Sequence, residues 1–305
     1  MAWSDADIGD LSGHTVLITG ANSGLGLRSA QVLAGHGAHV LVGCRSVERG
    51  RAAIATIEGP AELLELDLAD LASVRKAAAE VRERTNDRLD VLMNNAGVMG
   101  TPSSTTVDGF ELQIGTNHLG HAALTWLLMP VLRATPGSRV VTLSSIAHRG
   151  DGLDVDDLNY QRRRYNAAGA YAQSKLANLL FALELDRRLR AAGDSVISVA
   201  AHPGMTDTSL AATSAQTRFG STAAKIVAIG NKLVTQSVER GALPQLYAAT
   251  APGVVGGQYW GPGGPAELFG APALAKPRAA ALNHDLGRTL WERTAALTGV
   301  SPDPA

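Results

Sequence analysis

Along the first two-thirds of the chain, short apolar runs alternate with longer stretches rich in Ala, Leu and charged residues. The short runs are β-branched and alternate little, as strands buried on both faces do. They predict strands over Thr15–Thr19, His39–Gly43, Leu63–Asp67, Val91–Met93, Arg139–Ser144, Val196–Ala200 and Gln258–Trp260. The longer stretches predict helices near Leu25–Gly35, Leu71–Arg84, Gly109–Arg133, Tyr171–Ala192 and Val238–Thr250. This is the pattern of an α/β chain: a parallel sheet covered by helices on both faces. The charged, Gly-containing segment 150–164 reads as a surface insertion, and the Pro/Gly cluster over 252–277 as loops wrapped on one domain.

Composition narrows the classes. A length of 305 residues suits one large domain, and a net charge of −1 with 18% charged residues offers no basic patch, so no nucleic-acid partner is expected. The single cysteine, Cys44, excludes an internal disulfide and a thiolate zinc cage, and no metal is expected. The opening MAWSDADIGDLS is polar and acidic, and no apolar run nears the roughly 20 residues that cross a bilayer. The expectation is a soluble, cytoplasmic protein without a membrane partner.

The candidate chemistry begins in HTVLITGANSGLG, which puts Gly20, Gly24 and Gly26 at a strand-to-helix junction. Gly20 permits the sharp exit, Gly24 lets backbone approach a phosphate, and Gly26 allows close packing of helix on sheet. The helix start then offers free N–H groups and positive dipole to a pyrophosphate. A glycine-rich turn without a ligand is the plainer alternative. Together with the alternation of strands and helices this predicts a doubly wound, Rossmann-type sheet. The second strand ends in Cys44 and Arg45 where a carboxylate would hold the ribose of NAD, so NADP(H) is preferred, since a guanidinium suits a 2′-phosphate. Arg45 as an ordinary surface residue stays open, and Arg28 reads as structural or solvated. Asp67 can accept from the adenine amine or cap a helix. Asn94-Asn95-Ala96-Gly97 is a tight turn that lets backbone come near the adenine ribose.

Tyr171 and Lys175 stand four apart in YAQSK and share one helical face. A phenol of pKa about 10 is a poor base at neutral pH. The lysine ammonium and an oxidised nicotinamide ring would both lower it, which suits proton transfer to a carbonyl or from an alcohol. Tyr160 and Arg164 repeat the spacing inside the insertion and read as surface residues. Ser144 and Ser145 close the strand RVVTLSS; they face opposite ways, so one of them can bind the substrate oxygen. Asn117, polar within ELQIGTNHLGH, could interrupt the helix and hold a water against Lys175, or simply make a buried polar bond. His118 and His121 read as packing or surface residues, His202 as a brace of the adjoining loop, and Trp126 as core.

Taken together, TGANSGLG, NNAG, Asn117, Ser145, Tyr171/Lys175 and HPGMTDT resemble the short-chain dehydrogenase/reductase family, from His14 to about Trp260. The wide gap between Ser145 and Tyr171, with the closing RTLWERTAALTGV, is similar to the retinol-dehydrogenase-like and WW-domain-oxidoreductase-like branch. No WW domain or membrane anchor is legible, so retinoid activity is not carried over with the likeness. The resemblance implies hydride transfer between nicotinamide and an alcohol or carbonyl. It makes Asn117, Ser145, Tyr171 and Lys175 the catalytic positions, choosing Ser145 over Ser144. The cofactor set so assembled is Gly20, Asn22, Ser23, Gly24, Leu25, Gly26, Arg45, Asp67, Leu68, Asn95, Ala96, Gly97, Tyr171, Lys175, Pro203, Gly204, Thr206 and Thr208. One domain is expected: a cofactor-binding core over about 14–204, a substrate flap over 205–235, and the last helix, last strand and an extension over 236–305. In the flap, Phe219, Ala223, Ile226 and Leu233 recur at helical spacing, which suits either a pocket for a hydrophobic substrate or lid packing. The apolar surplus of LANLLFALEL would serve a homodimer or the chain's own core. Two other readings stay open: a non-catalytic NADP-binding sensor or scaffold, and a nucleotide-sugar dehydratase or epimerase.

Overall fold

The computed structural model describes residues 2–150, 152–206 and 236–304. Thr15–Thr19 (β1), His39–Cys44 (β2), Ala61–Glu65 (β3), Val91–Asn94 (β4), Arg139–Leu143 (β5), Ile197–Ala201 (β6) and Tyr259–Pro262 (β7) run parallel, and Pro272–Leu274 (β8) lies antiparallel at the edge. The order is β3-β2-β1-β4-β5-β6-β7-β8, so the chain switches direction between β1 and β4. A crevice opens at such a switch point, beyond the C-terminal ends of the strands, and ligands of open α/β sheets sit there.

Alternate residues of the buried strands feed two cores. Leu17, Leu41, Leu92 and Val140 point to one face, under Leu71–Arg84 (α3), Gly120–Ala134 (α4), Ala167–Ala191 (α5) and His284–Thr298 (α7). Val16, Ile18, Val42, Met93 and Val141 point to the other, under Gly24–Gly35 (α1) and Val238–Thr250 (α6). Apolar residues on both sides are why these strands read as continuous runs.

Several sequence expectations shift. Strand β3 begins at Ala61 and leaves Asp67 beyond its end, because pairing with β2 sets the register Val40↔Ala61 through Cys44↔Glu65. The helices Val47–Ile54 (α2) and α7 and the strand β8 were not expected from the pattern. The single helix read over Gly109–Arg133 is broken into a turn at Leu112–Ile114, a π turn at Gly115–Leu119 and α4. Close approach drives this: a Cβ on Gly120 would lie 2.3 Å from the carbonyl of Leu68.

Residues 152–164 lie at the surface, yet part of the segment is docked into the protein. Leu158 joins the core, and the buried Asp157 accepts from the N–H groups of Gln161, Arg162 and Arg163. Tyr160, read as a surface residue, is partly buried between the Tyr165 ring and the Arg163 guanidinium; Arg164 is exposed. The apolar surplus of α5 turns inward. Leu179, Leu180, Phe181 and Leu185 are buried, and Trp291 of α7 stacks on Phe181 at 5.4 Å. That face serves the chain's own core.

Candidate active site

At the switch point lies a cavity of about 360 Å³, walled by the loop after β1, the ends of β2 and β3, and the turn after β4. Gly20, Asn22, Ser23, Gly24, Leu25, Gly26, Arg45, Asp67, Leu68, Asn95, Ala96 and Gly97 all line it. Gly24 has φ +54 and open space where a Cβ would stand, so its backbone faces the cavity bare. Gly26 could carry no side chain: a Cβ would lie 2.5 Å from the Gly20 carbonyl and from the Asn95 side chain. Ser23, at the N-cap of α1, makes no side-chain capping bond, which leaves the first-turn N–H groups for an incoming anion.

The turn after β4 is held against this loop. Thr19 Oγ1 accepts from the N–H groups of Asn95 and Ala96 at 2.9 Å each, and Asn95 Nδ2 donates to Thr19 O at 2.7 Å. Asp67 Oδ1 accepts from Ala69 N at 2.9 Å, and Asp70 rather than Asp67 caps α3. Asp67 Oδ2 stands 3.9 Å from Arg45 Nε. Sequence reasoning missed Ser46 and Arg49 on the same wall. Ser46 Oγ accepts from Arg49 N at 3.3 Å as the N-cap of α2, so Ser-Val-Glu-Arg after a strand was the legible signal.

The four expected reacting positions come together beside the cavity. A Cβ on Gly97 would lie 3.3 Å from Asn117 Oδ1 and 3.5 Å from Lys175 Nζ, so both line up behind that turn. The buried Lys175 donates to Leu143 O at 3.2 Å and stands 5.7 Å from the centre of the Tyr171 ring. Ser145 is partly exposed, and its hydroxyl acts on the neighbouring Tyr171 phenol to lower its pKa. Ser144 is buried and donates to Lys175 O at 2.8 Å, which removes it from the pocket.

The Asn117 side chain is engaged by the turn after β4 and by α5. Its Oδ1 accepts from Val98 N at 2.7 Å, and its Nδ2 donates to Val98 O and Ser174 Oγ at 2.9 Å each. It pins the turn that borders the cavity, from within a π turn of the kind that often marks functional sites. His121 bridges Asn117 O and Thr19 Oγ1 at 2.8 Å each, and His118 reaches Thr294 of α7 at 2.8 Å. Burial lowers their pKa values to about 4 and about 3.

The electrostatics correct one expectation. Burial raises the Tyr171 phenol, the Ser145 hydrogen bond lowers it, and the outcome lies above the ordinary value. Lys175 turns its ammonium toward β5, and burial brings its own pKa down to about 8. Pro203, Gly204 and Thr206 lie at the exit of β6, off the wall of the cavity, and His202 braces them by accepting from Gly204 N at 3.2 Å. Thr208 and the residues Phe219, Ala223, Ile226 and Leu233 lie outside the described residues. Among the described residues there is no cluster able to hold a metal and no helix long and apolar enough to cross a membrane.

A sequence profile of the short chain dehydrogenase family matches residues 14–218. The chain belongs to that family. It is 40% identical to human retinol dehydrogenase 13, over 95% of this chain and 86% of that protein. It is 41% identical to mouse polyprenol dehydrogenase, over 94% of this chain and 84% of that protein. A crystal structure of an uncharacterised protein from Mycobacterium paratuberculosis superposes with a TM-score of 0.82 at 41% identity, over 99% of both chains. As a family member of the retinol-dehydrogenase-like branch, the short-chain dehydrogenase described here is an oxidoreductase acting on CH–OH and C=O groups with a nicotinamide cofactor.

Proposed function

We propose that this short-chain dehydrogenase uses NADP(H) and interconverts a hydrophobic alcohol and its carbonyl compound. The observation that carries the reading is the meeting of Ser145, Tyr171, Lys175 and Asn117 beside the cavity that the glycine-rich loop after β1 walls. Uncapped N–H groups of α1 suit the pyrophosphate, and Arg45 and Arg49 suit a 2′-phosphate at the far wall. Bound there, the nicotinamide supplies the site that gives or takes the hydride. Ser145 holds the substrate oxygen by a hydrogen bond. Tyr171 gives its phenolic proton to that oxygen in reduction and takes one from it in oxidation. Lys175 contributes positive charge and an N–H donor toward the bound ribose, and Asn117 keeps the bordering turn in place.

A hydrophobic substrate is supported by relatives whose names state retinol and polyprenol as substrates. A non-catalytic NADP-binding sensor would need neither the Ser145–Tyr171 hydrogen bond nor a buried lysine behind it. The test is NADPH oxidation with a panel of isoprenoid, aromatic and small polar aldehydes. Isoprenoid and aromatic aldehydes should be preferred, and Tyr171→Phe should keep NADPH binding and lose about 10²–10⁴-fold in kcat. Wild-type turnover in Tyr171→Phe, or activity confined to small polar carbonyls, would refute this reading.

A further inference from the structure

Behind the Ser145–Tyr171 pair lies a second polar layer that the proposed reaction leaves unused. After β7 the chain turns back on itself, and Gly264 N donates to Phe269 O at 2.9 Å. Within this loop Ala266 and Glu267 both adopt positive φ, 52° and 60°. Residues with side chains take that conformation rarely, and it persists where the surroundings over-determine it.

What over-determines it is the Glu267 carboxylate. Its Oε2 meets His202 Nε2 at 3.2 Å and the guanidinium of Arg149, and its Oε1 accepts from Lys276 N at 2.9 Å. His202 Nδ1 accepts from Gly204 N, so the ring proton sits on Nε2 and is donated to Glu267. Partial burial pushes the Glu267 pKa up, but the Lys276 N–H, Arg149 and His202 outweigh it and bring it below the usual carboxylate value. Every partner is a donor, so the post suits a carboxylate with two acceptor oxygens. An amide would turn its NH₂ against one of them.

The partners belong to the segments that follow β5 and β6. His202 follows β6 directly and leads into Pro203–Gly204. Arg149 ends the short turn Ile146–Arg149 that Ser145 caps. In that turn His148 Nδ1 donates to Ser145 O at 2.6 Å, and its Nε2 accepts from Arg278 N at 3.3 Å. The loop also grips the β6 exit through backbone: Met205 N donates to Leu268 O at 2.9 Å, and a Cβ on Gly204 would lie 2.4 Å from that oxygen.

We propose that Glu267 is a positioning residue, whose carboxylate clamps the Ser145 turn to the Pro203–Gly204 turn and so sets the substrate oxygen against the nicotinamide. The inference rests on the oxidoreductase reading above. Glu267 itself transfers no proton and touches no reacting atom.

The experiment compares wild type, Glu267→Gln and Glu267→Ala. Both variants should lose about 10–100-fold in kcat, the range a misplacement near 1 Å produces. The primary isotope effect with 4-deuterated NADPH should rise as hydride transfer becomes slower, while the Kd for NADPH stays within about threefold. Amide hydrogen exchange, which needs no turnover, should accelerate over residues 144–150 and 202–206 and stay unchanged over 19–26. An unchanged kcat overturns the proposal, as does a lowered kcat with an unaltered isotope effect and exchange accelerated throughout the chain. Should wild type and Tyr171→Phe turn over alike, the activity reading fails, and the exchange pattern alone still decides whether Glu267 clamps the two turns.

Discussion

The Tyr171 phenol is poised by opposed influences, burial raising its pKa and the Ser145 hydrogen bond lowering it. In the protein by itself the balance leaves it above its ordinary value, and the positive ring of an oxidised cofactor would add to the pull toward the phenolate. Arg45 and Arg49 pose a second question of charge, since they share the cavity wall with the Asp67 carboxylate, 3.9 Å from Arg45. Replacing a cation by an anion there turns attraction for a 2′-phosphate into repulsion. Arg45→Asp should weaken NADPH binding by about 10–100-fold, the loss of one or two charge-assisted hydrogen bonds, and leave NADH nearly unaffected. Fluorescence titration with both dinucleotides checks this, and equal losses would remove Arg45 from the phosphate site. Arg45 was legible because it directly follows a strand end on the cavity wall. Arg49 was not, because its place depends on α2, whose short pattern shows only a Ser N-cap.

The π turn Gly115–Leu119 hangs on its histidines. His121 must donate from Nδ1 to the Asn117 carbonyl. Thr19 Oγ1 already accepts two N–H groups, so it donates to His121 Nε2. Both histidines are neutral in the fold, with pKa lowered by burial to about 3 for His118 and about 4 for His121. In the unfolded chain each titrates near 6.5. Between those values the unfolded state binds more protons, so stability rises with pH in that window and is lost on acidification. From pH 7 to pH 5 each histidine should cost about 2 kcal/mol. Denaturant melts at both pH values measure the drop, which His118→Asn should shrink by about half; an undiminished drop would place the acid sensitivity elsewhere. The sequence showed polar residues within an apolar stretch. It could not show that Gly115 and Gly120 let the stretch press against Thr106 and Leu68 and break the helix there.

Across the whole chain, α7 closes the fold by laying Leu290 and Trp291 against α5 and α4. Trp291 stacks on Phe181 at 5.4 Å and meets Trp126 edge-on at 4.9 Å. Trp291→Ala should cost about 3–5 kcal/mol, as removal of a fully buried aromatic does, and lower Tm without changing the NADPH Kd of the folded fraction. A cost under about 1 kcal/mol would mean that α7 packs only loosely on α5. The periodicity, the glycines of the loop after β1 and the Tyr171/Lys175 spacing determined the parallel sheet, its order of elements and most of the cavity wall. They did so because each is a local pattern: residues buried on both faces, a bare backbone turn, one helical face. The tertiary structure alone decided that Ser144 donates to Lys175 O, that Asn117 holds Val98, that Lys175 leans toward β5, and that Glu267 reaches His202 and Arg149. Those contacts join segments far apart along the chain, and only the packing of strands and loops around the switch point brings them within hydrogen-bond reach.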